Sequence, residues 1–144
     1  MTSQLNMSKE KLSNGMNKLV FDPDILRPYT LNKYISMERA NRYIASKAKK
    51  TATNYCRAVV MQAMVDGVAF DWPCVVQFNW YLTDKRIDSD NWSFTQKFIL
   101  DGMQAAIVQG RKFLVNDNMV HVRGLHHDFY KTDGVARLEV IGVV

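Results

Sequence analysis

Asp88 and Asp90 stand two residues apart in Asp88-Ser89-Asp90-Asn91, where a strand should pass into a helix. In an extended segment such residues project from the same side, so their carboxylates can converge on one point. Two anions held together repel unless a cation sits between them, and a hard divalent ion with oxygen ligands is the natural occupant. Mg²⁺, with Mn²⁺ as a substitute, could there polarise a phosphate oxygen and activate water against a phosphodiester. Asp117, in the turn Asn116-Asp117-Asn118, adds a third carboxylate if the strand after it lies beside the strand ending near Asp84. Positions 90, 94, 97 and 101 share one helix face, so Lys97 can point back at the metal and counter charge on a scissile phosphate. Plainer readings exist for each group. Asp, Ser and Asn before a helix are also what capping selects, Asn-Asp-Asn also makes an ordinary turn, and Lys97 also suits an i,i+4 pair with Asp101. A calcium EF-hand does not fit, since glycine and glutamate would be needed at Ser93 and Ile99.

The elements that must position these groups follow from periodicity. A helix is expected from about Ser36, as N-cap, to Val65, with Ile44, Ala48, Ala52, Tyr55 and Val59 on its packed side. Arg39, Arg42, Lys49, Lys50 and Arg57 fall opposite, within an arc of about 100°. Before it, Leu19 to Phe21 reads as an edge strand, and Pro28 argues against a helix just ahead of it. Strict alternation from Cys74 to Thr83 marks a strand with one buried face. A second helix is expected from near Asn91 to about Val108, ending before Gly110. Two strands follow, near Met119 to Phe129 and Ala136 to Val144, joined through Thr132-Asp133-Gly134. The expected fold is α+β: two layers, a small mixed sheet packed against helices, one domain over 19–144 after a loose polar arm over 1–18.

Composition narrows the class. The chain has 144 residues, 47% of them hydrophobic, and a net charge of +5. Between Leu31 and Asp66 seven cations (Lys33, Arg39, Arg42, Lys47, Lys49, Lys50 and Arg57) face only Glu38 and Asp66, a surplus equal to the net charge of the whole chain. Such a concentration suits a polyanionic partner, although a solvated helix face has the same composition. No run of eighteen apolar residues or signal-peptide stretch occurs, so a soluble, cytoplasmic protein without membrane contact is expected. Cys56 and Cys74 are isolated, which argues against a disulfide framework or a cysteine-rich zinc site. On a strand His121 and His127 would share a face with His126 opposite, no cysteine completes a zinc set, and none of the three is taken as a ligand. Trp72, Trp80 and Trp92 read as core or interface residues.

Four stretches in order carry a resemblance: Arg86–Asn91 with its D-x-D-N, Lys97–Met103 with an apolar run ending in Asp101-Gly102-Met103, Asn116-Asp117, and the upstream Leu31–Ile35, Glu38-Arg39, Asn41–Tyr43 and Lys47–Lys50. Together they are similar to the RusA-type Holliday-junction resolvases, phage and prophage members above all, over about Pro28 to Val144. The resemblance implies a homodimer that cuts four-way DNA junctions by paired, Mg²⁺-dependent hydrolysis in recombination and repair, in a bacterial or phage-infected cytoplasm and without a small-molecule cofactor. It assigns metal binding to Asp88, Asp90 and Asp117, makes Lys97 the catalytic lysine, and leaves Arg39, Arg42, Lys47, Lys49 and Lys50 to hold DNA, chiefly through phosphates. Two departures stand out. The family's closing D-D is Asn116-Asp117 here, and some members carry the lysine where this chain has Phe94. Two other functions fit the same residues: a non-catalytic protein that binds branched DNA, and a nuclease for flaps or other branched substrates.

Overall fold

A computed structural model describes residues 17–144. The expected arm lies outside the described residues as far as position 16. Its last two positions are anchored: the Asn17 carboxamide exchanges two hydrogen bonds with the Ala69 backbone, and Lys18 pairs with Glu139 at 3.2 Å.

The sheet is built on β2 (Cys74–Leu82), whose residues alternate buried and half-buried along its whole length. On one side it pairs antiparallel with β6 (Arg137–Val143), which pairs antiparallel with the short β1 (Leu19–Phe21). On the other it pairs parallel with β5 (Val122–Lys131), giving the order β1-β6-β2-β5. β5 and β6, consecutive in the chain and joined through Thr132-Asp133-Gly134, are therefore kept apart in the sheet by β2. A parallel pair cannot be closed by a hairpin, and the chain between β2 and β5 supplies the long crossover this requires. That crossover holds α4 (Ser89–Ser93), α5 (Gln96–Ala105) and a two-stranded hairpin, β3 (Ile107–Val108) with β4 (Arg111–Lys112).

The remaining helices precede β2: α1 (Pro23–Leu26), a 3-10 turn (Arg27–Tyr29), α2 (Leu31–Ala40) and α3 (Arg42–Val65). Helices pack against one face of the mixed sheet in a single α+β domain. Phe78, Trp80, Leu138, Val140 and Phe21 from the strands meet Trp92, Phe98, Ile99 and Met103 from the helices in one core.

Local chemistry moves several expected boundaries. The helix expected from Ser36 to Val65 is two helices, broken at Asn41, whose extended backbone (φ −167°) and side chain cap α3 by accepting from Tyr43 N–H at 2.7 Å. Ser36 is not a cap; it lies inside α2, donating to the Asn32 carbonyl. Ile44 is exposed, and the buried stripe of α3 is Ala45, Ala52, Cys56 and Val60. Arg39 thus belongs to a different helix from the other cations. Pro28 does not exclude helix before it, because α1 ends two residues earlier and Pro28 itself sits early in a 3-10 turn that needs no N–H from it. The helix expected to reach Val108 stops at Ala105. Gln109 (φ 52°) and Gly110 (φ 77°) both take left-handed backbone, the signature of a two-residue hairpin turn.

Small residues let α5 lie close on α3. A Cβ added at Gly102 would stand 2.6 Å from Cys56 Cβ and 2.8 Å from the Arg57 nitrogen. The Asp101-Gly102 pair thus has a packing reason for its glycine. Helix propensity alone would favour alanine by up to about 1 kcal/mol, but contact with backbone cannot be relieved by a rotamer change. Gly102→Ala is expected to lose about 1–3 kcal/mol in urea unfolding; an unchanged or raised midpoint would contradict the close approach.

Candidate active site and nucleic-acid interface

Asp88 is the N-cap residue of α4 (φ −65°, ψ 152°), yet its side chain makes no capping hydrogen bond. Capping is therefore not what occupies this carboxylate. It opens instead into a pocket of about 230 Å³ at the C-terminal ends of β2 and β5, with Asp84, Lys85, Ser89 and Lys131. The outer ends of parallel strands are where α/β sheets commonly bind ligands. Asp90 follows in the first turn of α4 and is exposed. The two are not related by the extended geometry expected from the sequence, because Asp90 is already helical; they share the head of one helix. Asn91 between this pair and the core is buried, and its Oδ1 accepts from Asn32 N–H at the start of α2 (2.8 Å). Trp92 packs against Trp80 in the core, with the Arg27 guanidinium over its ring at 5.4 Å.

Asp117 is elsewhere. β5 does lie beside β2, as the third-ligand argument required, but it runs parallel to it. A segment before β5 therefore sits near the beginning of β2, not near its end. Asn118 O accepts from Val122 N–H, and His121 O accepts from Cys74 N–H, fixing the Asn116–Asn118 turn at the Cys74 end. β2 is nine residues long, so at about 3.3 Å per residue roughly 26 Å separates the two ends. A single chain does not bring Asp117 to Asp88 and Asp90, and among the described residues no cluster of three acidic, histidine or cysteine groups suits a metal ion.

Lys97 is exposed in the first turn of α5. Among the described residues no ion pair joins it to Asp101, so the i,i+4 reading is not realised. Asp101 lies instead in a groove of about 590 Å³ between α3 and α5, lined by Ser46, Lys49, Lys50, Thr53, Asn54 and Gln104. Arg39, Arg42, Lys47, Lys49, Lys50 and Arg57 are all exposed, and among the described residues none makes an ion pair. The helical layer thus presents cations that form no ion pair among the described residues, with Asp101 as the one carboxylate in the groove beside hydroxyls and amides.

Sequence reasoning used Asp84 only as a strand end and passed over Lys85 and Lys131. Asp84 accepts from Arg86 N–H at 3.1 Å and shares the Asp88 pocket. Its signal was a carboxylate four residues before Asp88 at a strand terminus. The three histidines hold no common site. His127 belongs to the packing: its ring stacks on Phe78 at 4.3 Å, Trp80 Nε1 donates to its Nδ1 (2.9 Å), and its Nε2 meets Gln96 Oε1 (2.7 Å). Indole N–H can only donate, so Nδ1 must accept and the proton sits on Nε2. Burial, followed by the neighbouring His126, pushes its pKa down to about 4, against a smaller opposing pull from Asp128.

Protein-family models, curated proteins and solved structures were all compared with this chain, and nothing matches.

The neutral His127 has a pH consequence. Its folded pKa lies below the unfolded value near 6.5, so the unfolded chain binds the extra proton between about pH 6.5 and 4. Stability from this group is complete above pH 6.5 and falls as pH drops toward 4. His127→Leu is expected to be less stable at pH 7 but flatter across that window; urea midpoints at pH 4.5, 5.5 and 7 would check it, and an equally steep variant would exclude His127 as the source.

Proposed function

We propose that the chain is a Mg²⁺-dependent, structure-specific endodeoxyribonuclease of RusA type, acting as a homodimer on four-way DNA junctions in recombination and repair. The observation that carries this reading is the carboxylate of Asp88, which makes no capping bond at its helix head and lies in a pocket that also holds cations. The basic layer of α2 and α3, without ion pairs among the described residues, supports the choice of a phosphate-bearing partner.

Mg²⁺ needs only one or two protein carboxylates and keeps water and phosphate oxygens as its other ligands. Asp88 and Asp90 suit that requirement, with Mn²⁺ as a substitute ion. Asp117 is out of reach within one chain, so as a third ligand it would have to be Asp117 of the partner subunit. When bound, the ion supplies a Lewis acid and a water of lowered pKa for attack on phosphorus. Lys97, in the first turn of the next helix, would offset charge on the phosphoryl oxygens. Arg39, Arg42, Lys47, Lys49 and Lys50 would hold junction arms by their phosphates, which position DNA without reading bases.

A second reading, a branched-DNA-binding protein without nuclease activity, is favoured by the remote place of Asp117 and by Asn116 in place of a carboxylate. Labelled four-way junction with purified protein separates the two. Paired nicks are expected with Mg²⁺, and Asp90→Asn should bind the junction while cutting it slower by about a hundredfold or more, the scale for losing one charge-stabilising group. Junction binding with no incision in Mg²⁺ or Mn²⁺ would sink the nuclease reading; flap DNA that outcompetes the junction would change its substrate.

Phosphate contacts also fix a salt dependence. The Lys49→Gln/Lys50→Gln double variant should lower the slope of log K against log salt by about 2, one for each lost contact. An unchanged slope would place the DNA elsewhere.

A further inference from the structure

We propose that the cavity between the β3–β4 hairpin and the end of α3 binds one unpaired nucleotide of a DNA strand, its base against Trp72 and its flanking phosphates on Arg111 and Lys112. The inference takes its DNA partner from the reading above and needs no hydrolysis.

The cavity holds about 360 Å³, toward the small end of the roughly 300–1,000 Å³ usual for ligand sites. Phe70, Trp72, Phe113 and Val108 line it beside the two cations. Phe70 and Phe113 are themselves buried, so the half-buried Trp72 is the ring with surface left for a ligand. That ring is already fixed. Its Nε1 donates to the Phe113 carbonyl at 2.8 Å, and the Phe70 and Phe113 rings pack on it at 5.6 and 6.1 Å between centroids. A side chain held in place gives up little freedom when something stacks on it.

Charge selects among flat ligands. Arg111 and Lys112 are exposed, and among the described residues neither makes an ion pair. No acidic side chain lines the cavity: Asp71, next to Trp72 in the chain, and Asp66, just past α3, both fall outside its lining. An aromatic wall with cations and no acid suits a ligand that is itself flat and anionic. A nucleotide is both, since every base has a face to stack and every phosphate carries charge. Bases within a duplex are stacked on one another, so the nucleotide must be unpaired.

Position argues for a strand over a free nucleotide. The groove that holds Lys49 and Lys50 reaches Ala105, whose carbonyl accepts from Arg57 Nε at 3.4 Å. β3 begins two residues later and lies against α3. Basic side chains therefore lead from the groove through Arg57 to the hairpin, and a strand leaving a bound duplex along them would arrive at Trp72.

Trp80 and Trp92 are buried, so a stacked base should quench Trp72 fluorescence above all. A thymidine octamer titrated without Mg²⁺ is expected to give a saturable quench. Arg111→Gln/Lys112→Gln, at two exposed positions, should lower the slope of log K against log salt by about 1.4, about 0.7 for each phosphate contact on a single strand. Trp72→Leu with unchanged circular dichroism should bind a fluorescein-labelled octamer roughly five- to hundredfold more weakly, while Trp72→Phe, which keeps a ring, should lose much less. No quench by the octamer, an unchanged salt slope, or thymidine monophosphate bound as tightly as the octamer would overturn the site. Binding without metal is read apart from cleavage. A protein that takes the octamer but leaves junctions uncut refutes the nuclease and keeps the pocket; one that cuts junctions and ignores the octamer does the reverse.

Discussion

Parallel pairing between β2 and β5 governs the rest of this molecule. Two parallel strands share their beginnings at one end and their ends at the other, so whatever precedes β5 is carried away from whatever follows β2. The connection must climb back the length of the sheet, and α4, α5 and the hairpin make that return. They also roof the buried face of β2, so the same crossover that closes the topology supplies Trp92, Phe98, Ile99 and Met103 to the core. Packing and site geometry are therefore one constraint. The carboxylates at the head of α4 stand where β2 delivers the chain, and Asp117 stands where the return must finish.

Electrostatics divides the surface in a related way. At the sheet end, Asp84 and Asp88 mix with Lys85 and Lys131 in a small pocket, where opposite charges moderate one another. Along α2 and α3 cations outnumber acids and, among the described residues, form no ion pair. Exposed charges of one sign repel within a Debye length of about 8–10 Å, a modest cost in salt that a polyanion would reverse on binding. A fold gains no stability from such an arrangement. Buried groups behave oppositely: the His127 ring stays neutral chiefly because burial disfavours its charge, and both its nitrogens are engaged in that form.

How far the sequence reveals this depends on whether a feature is local. The alternation of β2, the edge position of Leu19–Phe21 and the cation-rich helical stretch are each written in consecutive residues, and they stand in the structure. Strand direction is not written locally. Period-2 patterning is the same for parallel and antiparallel neighbours, so nothing around Asn116–Asn118 could say to which end of β2 the turn belongs. The Asn41 break was hidden for another reason. Apolar spacing continues through it with little change of phase, and only the capping chemistry of asparagine betrays the new start. The Gln109-Gly110 hairpin was masked by reading glycine as a helix stop, which fits the same residue. Asp88 shows the converse case: a residue type that capping would explain does not cap.

One hydrogen bond described above has a mechanical meaning. The Asn91 carboxamide, set directly behind Asp88 and Asp90, holds the first turn of α2 and so ties the acidic turn to the helical layer that bears the cations. On the proposed function this amide would be one tie between grip and blade, beside the Tyr34 ring against Phe94 and Phe98 and the packing of α5 on α3. A load on that layer would then reach the acidic turn through the helices themselves.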